Sequence, residues 1–194
     1  MKFRNDAAGW GLPARVLHWA MALLILGLLV VGWYMVNVVG TSDLVLRYQL
    51  TQTHKSFGFV VFALAILRLV WRALNPTPTE PPGSALEHRV ARAAHIALYA
   101  LMLALPVTGW LMASASPMNN ADAFPFQVRN MVFGLFELPD PVDPGSKALE
   151  ATFKTLHLAA ALAMAGLLLA HACAALFHHF VRRDRTLVRM VTGG

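Results

Sequence analysis

T-L-H-L-A-A-A-L-A-M-A-G-L-L-L-A-H-A-C-A-A-L-F-H-H-F, residues 155–180, holds no Asp, Glu, Lys or Arg and is long enough to cross a bilayer as one helix, which takes roughly 20 residues. Its ionisable groups are histidines. Such a residue is costly in a span, usually faces the bundle interior and marks a functional site. His157 and His171 are fourteen residues apart, close to four helical turns, so they face the same way about 21 Å apart along the axis. That spacing predicts two stacked haems, each held by two imidazoles. Candidate partners are His18 and His54, which open two other apolar runs.

Composition agrees with a membrane chain: 57% of the 194 residues are hydrophobic and 13% charged, with mean hydropathy +0.55. Soluble domains carry about twice that charge. Four spans are expected, at about residues 15–38, 51–74, 90–113 and 155–180, forming a single all-α, four-helix transmembrane bundle over residues 1–194. The first span is too long for a signal-peptide core, and no A-x-A site closes it, so it is expected to remain. The second is the least apolar, and Lys55 and Arg68 are expected to snorkel from it towards the interfaces.

Eleven of the sixteen Lys and Arg residues flank one side of these spans: Lys2, Arg4, Arg15, Arg68, Arg72, Arg89, Arg92, Arg182, Arg183, Arg185 and Arg189. The positive-inside rule places that side, and with it both termini, in the cytoplasm. The net charge of +6 reflects this asymmetry and an affinity for anionic lipid. No soluble basic domain is present to bind nucleic acid.

Residues 75–83 contain four prolines and read as an extended cytoplasmic connector. Ser84 and Glu87 have capping-box spacing and start the third helix. The external loop, residues 114–153, is broken by prolines. Its Phe126, Val132, Phe133, Leu135 and Phe136 suit a segment that lies on the bilayer or caps the bundle mouth, and Ser146 is a candidate N-cap for the fourth helix.

Depth sorts the histidines. His54 and His157 lie near the outer face and form one pair. His18 and His171 can meet around an inner haem, although His95 lies at a similar depth, and spacing leaves a His18–His95 pairing open. Four imidazoles at matched depths are costly in lipid without a shared ligand. His178 lies on the face of His171 and suits a quinone oxygen, a proton relay or an interfacial site. His88 reads as a solvated loop residue and His179 as a headgroup contact. The five tryptophans fall mostly near span ends, as belt residues do.

The single cysteine, Cys173, excludes disulfides, thiolate-held clusters and C-x-x-C-H attachment, so any haem is a non-covalent b haem. No G-x-G-x-x-G follows a strand, which leaves no evident nicotinamide or flavin domain. Gly27, Gly32, Gly58, Gly109 and Gly166 permit close helix approach or room for a flat porphyrin.

R-V-L-H-W (15–19), P-T-P (76–78), L-P-V-T-G (105–109), H-A-C-A-A-L-F-H-H (171–179) and T-L-V-R-M (186–190) together resemble the bacterial cytochrome b561 family over nearly the whole chain. The resemblance implies two b haems per chain in a bacterial inner-membrane protein, ligated by His18 with His171 (inner) and His54 with His157 (outer). It further implies a superoxide oxidase activity, in which electrons pass from superoxide at the periplasmic face to ubiquinone near the cytoplasmic face. On that reading Lys154, Lys55 and Arg129 draw the anion inward by local positive potential, and His178, Arg15, Arg68 and Arg72 form a quinone pocket or bind haem propionates. Two other classes stand beside it: a haem-bearing anchor that passes electrons for a partner dehydrogenase or hydrogenase, and a histidine-lined metal transporter. The absence of acidic residues within the spans disfavours the transporter.

Overall fold

The computed structural model describes residues 2–39, 43–117 and 129–193. Four long helices dominate it: α1 (Leu12–Tyr34, running on as a π-helical turn over Met35–Val39), α2 (Leu44–Leu74), α3 (Ala85–Ala115) and α4 (Lys147–Phe180). A two-stranded hairpin, β1 (Met131–Val132) and β2 (Phe136–Glu137), precedes α4, and a short helix, α5 (Thr186–Val191), follows it. All four long helices are long and apolar enough to cross a membrane. Their outward side chains agree: Leu23, Leu162 and Leu169 are 70%, 66% and 67% exposed, a surface suited to lipid because the helix satisfies its own backbone. This is an all-α, four-helix membrane fold.

Local chemistry sets the helix ends. Pro13 sits in the first turn of α1, where its missing N–H costs nothing. Asp43 caps α2, its Oδ1 accepting from Leu46 N at 2.9 Å, and α2 stops before Asn75-Pro76, as a residue preceding proline favours. The Ser84–Glu87 box forms as expected, Ser84 N donating to Glu87 Oε2 at 2.8 Å and Glu87 N to Ser84 Oγ at 3.2 Å. Ser146 Oγ accepts from Leu149 N at 3.3 Å and caps α4. All four helices start before the expected spans, because their first turns and caps lie ahead of the apolar stretches. His88 consequently stands in α3 rather than in the connector, its Nδ1 3.2 Å from Glu80.

The chain divides into two compact units. The first comprises Met1–Leu23, Ala63–Ala100 and Met164–Gly194, and the second Leu24–Phe62 and Leu101–Ala163. In the first, Ala14, Met21, Ala65, Leu98 and Met164 are buried. The connector runs extended and is stapled at both flanks: Asn5 Nδ2 donates to Pro76 O (3.0 Å), Thr79 N to Ala7 O (3.1 Å) and Arg189 Nη1 to Thr79 O (2.8 Å). Trp19 Nε1 donates to Met190 O at 3.1 Å, holding α5 against α1.

In the second unit Ile25, Val39, Val61, Ala115 and Val132 are buried, with the polar Ser56, Ser114 and Asn130. The hairpin pairs Met131 with Glu137 and Val132 with Phe136. Val132 faces inward, whereas Phe133, Leu135 and Phe136 are exposed, so only part of the expected cap packs on protein. Phe126, the remaining member of that set, lies outside the described residues.

Candidate functional site

In the second unit, His54 on α2 and His157 on α4 face each other with ring centroids 6.3 Å apart. The turn of α3 spelled L-P-V-T-G seats His157. Its Nδ1 lies 3.1 Å from both Leu105 O and Thr108 Oγ1. A Cβ on Gly109 would stand 3.2 Å from His157 Cε1, a tight approach, so this glycine makes room for the ring, and one on Gly32 would stand in contact with His54 Cε1 at 3.4 Å. His54 Nδ1 is buried with no hydrogen-bond partner among the described residues. Around Gly27, Gly58 and Gly166 nothing beyond the adjoining residues and the local helix backbone stands within 4 Å of the Cβ position.

The first unit brings three histidines together. His18 on α1 and His171 on α4 have centroids 6.1 Å apart, and His95 on α3 approaches His171 to 5.5 Å. Arg68 does not snorkel. Its Nε donates to Tyr99 Oη (3.0 Å) and its Nη2 to His18 Nδ1 (3.0 Å), so the guanidinium finds its acceptors inside the protein. Guanidinium has donors only, which makes His18 Nδ1 the acceptor in this arrangement.

Of the other expected site residues, Lys55 and Arg129 come together. Lys55 is half-buried beneath the hairpin, its Nζ donating to Asn130 Oδ1 (3.1 Å) and Arg129 O (3.2 Å). Asn130 in turn donates to Ser114 Oγ and Asp140 Oδ1. Arg129 pairs with Glu137 at 3.0 Å. Lys154 is exposed on α4. Arg15 donates through Nη2 to Val191 O, which ties it to the C-terminal segment, and Arg72 is exposed. His178 Nδ1 bonds the Asp184 carboxylate. Burial opposes ionisation of Asp184, but the hydrogen bonds from His178 and Thr186 outweigh it and hold this carboxyl below its ordinary value.

Thr108, Tyr99 and Asn130 are not distinguished by their place in the sequence. Only the L-P-V-T-G motif signals the first of them. Among the described residues, no group of three or more His, Cys, Asp or Glu is arranged to hold a bare metal ion. Paired imidazoles suit instead a planar group ligated from its two faces, as in a bis-histidine cytochrome.

Comparison with known proteins agrees with that geometry. "Cytochrome b561 homolog 2" of Escherichia coli K12 is 31% identical over 193 residues, covering 98% of this chain and 95% of the relative. "Cytochrome b561 homolog 1" of the same organism is 31% identical over 180 residues, 90% and 92% of the two chains. A Yersinia pestis protein named "Probable superoxide oxidase CybB" is 27% identical over 176 residues, 90% and 91% of the two chains. The family profile described as prokaryotic cytochrome b561 matches residues 9–193, and this multi-pass bacterial membrane chain, with its intramembrane histidines, belongs to that b-haem electron-transfer family.

Proposed function

We propose that the chain is a di-haem b cytochrome that carries electrons from the periplasmic face to the quinone pool, acting as a superoxide:ubiquinone oxidoreductase. One observation carries the haem count: two imidazole pairs with centroids 6.3 and 6.1 Å apart. A ring nitrogen bonds a first-row metal at about 2.0 Å, so two rings on opposite sides of one iron stand about 6 Å apart, centroid to centroid. His95 at 5.5 Å from His171 is closer than this, which favours His18 over His95 as the partner of His171.

The residues fit the group. Leu105 O and Thr108 Oγ1 leave His157 Nε2 unprotonated for ligation. At the inner pair, ligation through His18 Nε2 requires Nδ1 to carry the proton, so Arg68 must turn from His18, and its charge then suits a propionate. When bound, b haem supplies reversible one-electron chemistry.

On the outer side, Lys154 and Lys55 raise the local positive potential for an anion, Lys154 exposed and Lys55 fixed under the hairpin. On the inner side, His178 offers Nε2 to a proton while Asp184 holds Nδ1. Arg15 and Arg72 lend positive charge to that face for quinone or propionate oxygens. Two superoxide anions yield two dioxygen and two electrons, which with two cytoplasmic protons reduce ubiquinone to ubiquinol. The name borne by the Yersinia relative supports this substrate, and the excess of Lys and Arg beside both termini supports their cytoplasmic placement.

Rapid mixing of the purified, haem-loaded protein with superoxide, with and without ubiquinone, tests the activity. The expected result is haem reduction by superoxide followed by reoxidation on adding quinone. No reduction by superoxide contradicts it, and leaves an electron-transfer subunit for a partner protein.

A further inference from the structure

The L-P-V-T-G turn does more than make room. Thr108 has one hydroxyl proton, and its Oγ1 lies 2.8 Å from Ala104 O and 3.0 Å from Leu105 O, so that proton is directed to the helix's own carbonyls. A lone pair is left facing His157 Nδ1. Leu105 O, at 3.1 Å from the same nitrogen, accepts only. An unprotonated Nδ1 would face two oxygens with no hydrogen between them. Nδ1 is therefore the donor in a three-centre bond, and the imidazole lone pair lies on Nε2. His54 has no such arrangement, since its buried Nδ1 has no partner among the described residues.

We propose that Thr108, acting with the Leu105 carbonyl, is a positioning residue: it fixes the tautomer and ring orientation of His157 and makes it the stronger-donating of the two outer ligands. The proposal rests on the reading of His54 and His157 as axial ligands. A ligating histidine that donates its second N–H to an acceptor becomes more basic and is held in place. Greater basicity favours ferric over ferrous iron, so Thr108 lowers the reduction potential of the outer haem. The contrast with His54 makes that haem asymmetric, with one ligand held by two oxygens and the other held by none. The glycine one residue on belongs to the same device, because any side chain at Gly109 would meet the ring that Thr108 orients.

The test is a redox titration of the haem-loaded protein with low-spin electron paramagnetic resonance, comparing wild type with Thr108→Val, Thr108→Ala, Thr108→Ser, Thr152→Val and His157→Ala. The valine and alanine variants should keep both haems through Leu105 O. One potential should shift positive, one ferric signal should move, and one haem should be lost to apomyoglobin about tenfold faster. Thr108→Ser should restore the wild-type values. Thr152 makes the same bond to the carbonyl four residues back, Ala148 O, at 2.9 Å on an exposed face, and Thr152→Val should change nothing. Unchanged potentials and signals in both Thr108→Val and Thr108→Ala, or a serine variant that behaves like alanine, overturn the proposal. If His157→Ala loses one haem while the Thr108 variants are silent, this proposal alone fails. If His157→Ala keeps both haems, the ligand assignment beneath it fails.

Discussion

An imidazole can hold a metal only through a nitrogen that carries no proton, so the partner of its other nitrogen decides whether a buried histidine serves as a ligand. At His157 that partner is a pair of oxygens. At His18 it is Arg68, which would have to move under the proposed ligation. His95 enters the inner cluster from α3 and stands 5.5 Å from His171, and on the proposed ligation it is a neighbour of the haem rather than a ligand. His171→Ala is therefore expected to remove one of two b haems, whereas His95→Ala keeps both, as measured by haem content and absorption spectrum. The reverse result would exchange their roles. His18, His54, His157 and His171 are legible in the sequence because ionisable groups in apolar runs are rare. His95 is not separable from His18 and His171 there, because sequence gives depth along a helix without saying how close two rings come. Thr108 is hidden for a different reason: a threonine bonded to its own helix looks like any other until the ring beside it is seen.

The elements follow from caps, prolines and turns. The Ser84–Glu87 box closes the start of α3, and removing an N-cap serine costs about 1 kcal/mol. Ser84→Ala should lower the melting temperature in detergent by about 2–4 °C without changing haem content, and no shift would mean that this helix end frays in the native protein. The hairpin is anchored from the other side, with Asn130 linking Lys55, Ser114 and Asp140. Asn130→Ala leaves buried polar groups unpaired, at about 1–3 kcal/mol. It should raise amide exchange over residues 129–138, and unchanged exchange would show that the turn holds itself. Helices and connector are readable from apolar length and proline, but the hairpin is not. Its turn places Phe133 at φ 49° ahead of Gly134 at φ 70°, where Asn-Gly would be the usual signal. Phe133 N donates to Ser56 Oγ at 2.9 Å, and its ring meets Phe57 edge-on at 5.2 Å. These contacts with α2 hold a conformation that local sequence disfavours.

Over the whole molecule, the second unit contains one facing pair of histidines and the first a cluster of three, and the unit bearing both termini is closed by its C-terminal segment. Asp184 links α4 to α5, with its Oδ1 accepting from Thr186 N at 2.8 Å and its own N–H bonding His178 O at 3.1 Å. Its carboxyl is held below the ordinary value, so the stabilisation is present above that ordinary value and is lost as pH falls through the lowered one. Amide protection of residues 186–192, corrected for intrinsic rates, should stay level down to about pH 5 and then decline. Asp184→Asn should remove that dependence, and an equal decline in the variant would assign it to another group. The tail is recognisable in the sequence as a basic T-L-V-R-M segment, but its docking depends on backbone acceptors at Thr79, Met190 and Val191 that no side-chain pattern announces. On the proposed function each unit holds one b haem between two histidines. The decisive measurement is the ratio of b haem to protein in the purified chain, by pyridine haemochrome and amino-acid analysis: two haems per chain are expected, and a ratio of one or less rules out a haem in each unit.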